Sequence, residues 1–456
     1  MLILPALVTL FTYLYWRPHT IFEVLHPVTV NAVLAFVAFT FALDFRTGWT
    51  RPRVSPLIIL LFCFVIWAFA TVLVKAPDRL GDQFAVLLMP LLTLVFVSEG
   101  VQSIRALQVV GNVLMVFSIG LAILGVEQGL APTACYVRED STLSDTVVPG
   151  FDGRDCTERK QCYQGGLPGA EYSCEHPGWV GTSSVGGRVR YLGMLEDPNE
   201  LAWALAMGLP FIFSFYERKR SPFRLVFLVG AIGVITACVV MTQSRSGQLS
   251  LLGALGVYFI RRYRWRGVLG ALVLGLPVLL LGGRSGEEAE SSSMERLICW
   301  QEGLSMWREN PIVGVGSGQF TQHHVQTAHS AFILSGAELG PLGLLLFSSA
   351  LYYAVKILVR MQIDLRDRPE AQDVLSFSVA LLASQVALLV SAFFLSLPYH
   401  PILWIFIGLT GALYAVAQRH APEFKVRFGA RDLAFLAAFD TVLIASIAVY
   451  IRLKGV

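Results

Sequence analysis

Apolar runs of about 16 to 24 residues recur along the chain, each near the ~20 that carry a helix across a bilayer. They fall at roughly 2–16, 26–44, 56–75, 83–98, 105–127, 199–216, 225–243, 247–260, 267–283, 328–355, 373–397, 401–417 and 433–451. Backbone amides and carbonyls find no water in hydrocarbon, so runs of this length predict helices. The pattern predicts an all-α polytopic membrane protein of about thirteen transmembrane helices; the first and last runs are weak, so the range is about twelve to fourteen. Five sections follow: an N-terminal transmembrane bundle over 1–127, an outward loop over 128–198, further spans over 199–283, a second outward loop over 284–327, and a C-terminal bundle over 328–456. The first run lacks a basic stretch before it and a small-residue cleavage site after it, so it reads as a retained span.

Composition sharpens this picture. The chain is 55% hydrophobic and 15% charged, with a mean hydropathy of +0.62, outside the range of a soluble domain of this length. Its basic residues cluster at Arg46/Arg51/Arg53, Arg218/Lys219/Arg220/Arg224, Arg261/Arg262/Arg264/Arg266, Lys356/Arg360/Arg366/Arg368 and Lys425/Arg427/Arg431. Counting spans between them puts every cluster on one side, which the positive-inside rule makes the cytoplasm. The net charge of +3 therefore marks topology and implies no nucleic-acid partner.

Both long loops then face outward. The first holds Cys135, Cys156, Cys162 and Cys174, four of the seven cysteines, without a CxxC pair. Two disulfides are the expected arrangement, against four free thiols or a metal site, and the pairing is open. An oxidising compartment points to a bacterial inner membrane whose outward face is periplasmic. Cys63 and Cys238 lie inside spans and read as small core residues.

Candidate chemistry lies in two polar interruptions on that outward side. One is the tight turn Thr242-Gln243-Ser244-Arg245-Ser246-Gly247. Arg245 is the only charged residue between Arg224 and Arg261. It reads either as a snorkelling residue at a turn or as a guanidinium offering its planar fork to a phosphate. Upstream, Glu196-Asp197-Pro198-Asn199-Glu200 opens a span with a capping-box pattern, Asp197 at N-cap and Glu200 three residues on. Asn199 and Glu200 are placed there to contact a sugar or hold an arginine. Arg188 and Arg190 are further candidate anion ligands.

The other interruption runs from Arg284 to Thr327. Leu297, Trp300, Leu304 and Trp307 recur at helical spacing and predict an amphipathic helix along the outer interface, with Arg296 beside the apolar stripe. Arg296 either faces a lipid-borne phosphate or pairs with Glu295 or Glu302. Gly314, Gly316 and Gly318 resemble a phosphate loop but follow no strand and lack the lysine, so they read as a close-packed turn. His323, His324 and His329 are spaced wrongly for a metal cluster on one helix. His329 begins a span at the outer boundary, with Glu338 more than two turns deeper, and is either structural or a base.

Together these pieces resemble the O-antigen ligase and polysaccharide polymerase family of bacterial inner-membrane glycosyltransferases. The matching residues are Asp197-Pro198-Asn199-Glu200, Ser244-Arg245-Ser246-Gly247, the loop with Arg296, Trp300, Trp307, Asn310-Pro311 and Gly314-Val315-Gly316, and Ala328-His329-Ser330 followed by Glu338-Leu339-Gly340. They span about 190–345 in motif order; Ser330 departs from the asparagine usual in the family. The resemblance implies metal-independent, inverting glycan transfer from an undecaprenyl-diphosphate carrier, with no cofactor. Arg245 and Arg296 would hold the diphosphate, and His329 would help deprotonate the acceptor hydroxyl.

The expected reaction is polymerisation of surface polysaccharide repeat units (exopolysaccharide or lipopolysaccharide), joining one lipid-linked repeat to another chain. The alternative inside the family is a ligase that moves glycan to lipid A-core or protein. The rival outside it is a lipid-glycan flippase. A transporter should carry ionisable groups near mid-span or an internal repeat, whereas the polar candidates here gather at outer span ends.

Overall fold

The computed structural model describes residues 2–138, 149–264, 266–267, 269–270, 273 and 287–455. Its long helices are α1 (Ile3–Tyr15), α2 (Val30–Arg46), α3 (Pro56–Lys75), α4 (Leu80–Gly100), α5 (Ile104–Leu130), α6 (Pro198–Arg218), α7 (Pro222–Met241), α8 (Arg245–Tyr263), α9 (Glu287–Glu309), α10 (Ala331–Asp364), α11 (Gln372–Ala392), α12 (Pro401–His420) and α13 (Ala430–Lys454). Each except α9 overlaps an apolar run of the sequence. Among the described residues, α3, α4, α5, α7, α10, α11, α12 and α13 are long and apolar enough to cross a membrane, so this is a multi-pass membrane protein. The run at 267–283 lies largely outside the described residues.

Burial sorts the helices into inner and outer. The apolar window of α12 is 89% buried and that of α11 72%, against 28% for α7 and 17% for α13. α6 is buried on nearly every face, with Trp203 enclosed among Leu201, Leu205 and neighbouring helices. It can carry polar residues because it packs against protein rather than lipid. Cys238 is buried as expected, but Cys63 is exposed on the outer face of α3.

α10 breaks at Gly340 (φ 66°) and Pro341. Carbonyls released by such a break need partners inside a bilayer. The preceding loop supplies them: Val315 N donates to Ala337 O and Gly316 N to Glu338 O, both at 2.9 Å. Trp67 Nε1 donates to Leu339 O at 2.8 Å. Gly314, Gly316 and Gly318 all have positive φ, and a Cβ on Gly314 would lie 2.4 Å from the Glu338 carbonyl carbon. The glycines are there for this close backbone approach.

The 128–198 loop departs from an all-helical plan. It forms a small antiparallel sheet of β1 (Ala134–Val137), β2 (Gly150–Asp155) and β3 (Tyr172–Glu175), in the order β2-β1-β3. Strands of four to six residues are too short to show alternation in the sequence. Disulfides Cys135–Cys162 and Cys156–Cys174 hold the sheet, with Val137, Ala170 and Tyr172 completing its small core.

Candidate functional site

The turn between α7 and α8 is built by its own hydroxyls. Thr242 Oγ1 donates to Val239 O at 2.7 Å and accepts from Ser244 N at 3.3 Å. Gln243 takes a left-handed conformation (φ 50°), and Ser244 caps α8 by accepting from Gly247 N at 3.1 Å. A Cβ on Gly247 would lie 2.2 Å from Ala202 Cβ, so this glycine lets α8 approach α6. Arg245, the first residue of α8, is thereby held at the helix N-terminus and exposed.

α6 starts beside it. Pro198 sits in the first turn, and Asp197 caps the helix by accepting from Asn199 N at 2.6 Å. That bond goes to the second helical residue, so the reciprocal box expected with Glu200 is not the cap formed. Asn199 ties three segments together. Its Nδ2 donates to Asp197 Oδ1 at 2.7 Å, and its Oδ1 accepts from Ser244 Oγ at 2.7 Å and from Arg188 at 3.4 Å.

Arg188 arrives on a short turn organised by a buried carboxylate. Glu175 accepts from Ser184 Oγ (2.6 Å), Gly186 N (2.9 Å) and Gly187 N (3.2 Å). Arg188 Nε then donates to Thr242 O at 3.0 Å, joining the loop to the α7–α8 turn.

The fourth side comes from α9 and the residues before α10. The apolar stripe of α9 packs on protein: Trp300 and Leu304 meet the cluster of Met306, Phe320, Ile333 and Ala337, and a Cβ on Gly336 would lie 2.6 Å from Trp307. This packing of α9 on protein positions Arg296. His329 adopts φ 47° just before Ser330, the N-cap of α10. A left-handed conformation costs a non-glycine residue about 1–3 kcal/mol, so it persists only where the surroundings impose it. Nine residues further on, in α10, the buried Glu338 accepts from Gly318 N at 2.9 Å, Phe320 N at 3.0 Å and Tyr399 Oη at 2.8 Å, which ties the preceding loop to the helix. Burial and then the Arg296 charge hold the His329 pKa below the ordinary histidine value, while Asp197 and Glu295 pull the other way. Both of the leading effects favour the neutral ring, the form that can take a proton.

These segments enclose a cavity of about 180 Å³. Arg188, Asn199, Arg245, Arg296 and His329 line it together with Asp197, Gln243, Ser292, Ser293, Glu295 and Gln326. Three guanidiniums thus face two carboxylates, an arrangement suited to an anion of more than one charge. Two residues named from the sequence are placed elsewhere. Arg190 donates to Ser183 O at 2.9 Å and to Ser183 Oγ at 3.2 Å, and so braces the loop. Glu200 is half-buried in the first turn of α6 and does not line the cavity.

Asp197 and Glu295 were visible in the sequence as a cap and an ion-pair partner; their place in the cavity was not. Nothing in the sequence marked Gln326, Ser292 or Ser293. His323 and His324 stay outside the lining. Among the described residues, the group close enough to share a metal is Cys135, Cys156 and Cys162, whose proximity follows from the two disulfides.

None of the curated proteins matches the chain. Residues 230–348 match the family model described as O-antigen ligase. The matched stretch runs from α7 to the middle of α10 and contains Arg245, Arg296, His329 and Glu338, while Arg188 and Asn199 lie before it. The segment that supplies two of the three cavity arginines and the histidine therefore belongs to the O-antigen ligase family.

Proposed function

We propose that this protein transfers a glycan from an undecaprenyl-diphosphate-linked donor on the periplasmic face of a bacterial inner membrane. Family membership supports O-antigen ligase-type glycan transfer in a membrane. The observation that carries the finer reading is the meeting of Arg188, Arg245, Arg296 and His329 around one cavity. In this reading the arginines bind the donor diphosphate and offset the charge that grows on it as it leaves. The acceptor hydroxyl oxygen attacks the anomeric carbon from the opposite side. A new C–O bond forms as the bond to the diphosphate oxygen breaks, and that oxygen keeps the electron pair. His329 takes the hydroxyl proton, the carrier diphosphate departs, and the anomeric centre is inverted. Charge compensation falls to guanidiniums, so the reaction requires no divalent metal.

The acceptor in this proposal is a second lipid-linked glycan, which makes the protein a polymerase of surface polysaccharide repeats. Transfer to lipid A-core or to protein is the second reading, favoured by the family model's description as O-antigen ligase. Incubating the purified protein with lipid-diphosphate-linked repeats tests both. Lengthened chains support the polymerase, conjugates formed only on added acceptor support the ligase, and donor moved across a bilayer without turnover would make it a transporter instead.

A further inference from the structure

Away from the Arg245 cavity, α9 forms a second cleft with α10 and α13. One part, about 560 Å³, is mostly apolar: Trp307 of α9, Leu342 and Leu345 of α10 and Ile444 of α13 line it, together with Asp440 and Thr441 of α13. The other, about 300 Å³, is lined by Gln301, Ser305 and Arg308 of α9 and by Arg452 of α13. Ala448 lines both, so the two parts adjoin. No residue of either part lines the Arg245 cavity. Arg308 and Arg296 sit on the same helix twelve residues apart, about 18 Å at 1.5 Å per residue.

Two cations sharing one cleft repel unless an anion lies between them. Arg308 and Arg452 are both exposed, and neither forms an ion pair with a described residue. Each stands in the last turn of its helix, where the helix dipole favours a cation. That explains one arginine at each helix end, but not their convergence beside Ser305 and Gln301. Among the eight described helices long and apolar enough to cross a membrane, α13 is the least buried, so the adjoining apolar part lies against an exposed helix. Ile444 precedes Arg452 by eight residues, about 12 Å along the helix, so the charged end and the apolar end are set apart along the membrane normal.

We propose that this cleft binds an anionic phospholipid, its phosphate between Arg308 and Arg452 and its chain along Leu342, Leu345 and Ile444. Snorkelling basic side chains at a helix end and an apolar groove beneath them match such an amphiphile at both ends. The site is distinct from the donor cavity and stands whether or not the proposed transfer reaction does.

Native mass spectrometry of the full-length protein, extracted from equal mixtures of phosphatidylglycerol and phosphatidylcholine, tests it. The parent should retain phosphatidylglycerol preferentially. The pair Arg308→Gln/Arg452→Gln should lower that preference about tenfold, the equivalent of one charge-assisted hydrogen bond. Ala448→Trp, which fills the junction and leaves both charges, should lower it too. Arg308→Lys/Arg452→Lys keeps the charge and should keep most of the preference, which separates charge loss from misfolding. Equal retention of both lipids by the parent, or an undiminished preference in the double glutamine variant, would overturn the proposal. So would displacement of the lipid by millimolar inorganic phosphate, which would make the arginines a simple anion site.

Discussion

Replacing Asn199 with aspartate asks whether the cavity works through its positive charge. A carboxylate at this position keeps the acceptor bonds from Ser244 Oγ at 2.7 Å and Arg188 at 3.4 Å. The donor bond to Asp197, at 2.7 Å, becomes a meeting of two acceptors. Two carboxylates about 4 Å apart repel by about 4 kcal/mol at an effective dielectric near 20, enough to swing Asp197 away from its cap. The new charge also cancels the excess of three arginines over Asp197 and Glu295. An added negative charge some 6 Å from a phosphate costs roughly 3 kcal/mol on the same scale. Solvent in an open cavity screens part of this and leaves about tenfold, or ~1.4 kcal/mol, as the smallest effect on donor affinity. Donor binding by Asn199→Asp, measured against ionic strength, should be weakened at least that much at low salt, with the gap to the parent narrowing as salt rises. Asn199→Leu removes all three side-chain bonds and adds no charge. It should lower unfolding stability by about 2–3 kcal/mol and weaken binding without that salt dependence. Parent-like donor affinity in Asn199→Asp at low salt would refute the electrostatic reading of the cavity.

Arg245→Lys keeps a charge but loses the planar fork, so it should be badly impaired with every acceptor rather than behave conservatively, as donor titrations would reveal. Transfer should survive EDTA; activity abolished by the chelator and restored by Mg²⁺ or Mn²⁺ would show that the arginines do not suffice. A base must be unprotonated, and burial with Arg296 holds His329 below the ordinary histidine value. The rate should therefore fall as pH drops below about 6.5 and stay level through neutrality, a limb absent from His329→Ala. Peptide mapping of the unreduced protein should recover Cys135–Cys162 and Cys156–Cys174, and finding all four as thiols would remove the grounds for an oxidising face.

Much of the fold is written in the length of apolar runs, because a bilayer leaves the backbone no alternative to helix. The break in α10 was less legible. Gly340-Pro341 marks a discontinuity, but only the loop at Gly314–Gly318 reveals what repairs it. The site was legible where polar residues interrupt apolar sequence: Arg245 stands alone in a long uncharged stretch, and His329 opens a span. Arg190 lies two residues from Arg188 in the sequence, yet the structure turns it onto Ser183. Asp197 was read as a cap, and a cap it is, yet the same carboxylate faces the cavity. Convergence of α6, α8 and α9 is a long-range fact that local pattern does not carry. Asn199 shows this best, since its partners lie 11 residues upstream and 45 residues downstream.

The most direct test of the account is a single-turnover transfer assay in proteoliposomes, with purified protein, lipid-diphosphate-linked glycan and acceptor, comparing the parent with a well-folded His329→Ala variant. The parent should form product and release the carrier diphosphate. His329→Ala should bind the donor with nearly unchanged affinity and transfer it on the order of a hundredfold more slowly, as expected for lost general-base help. Transfer by His329→Ala at the parent rate, or donor binding by the parent with no turnover under any acceptor, would contradict it.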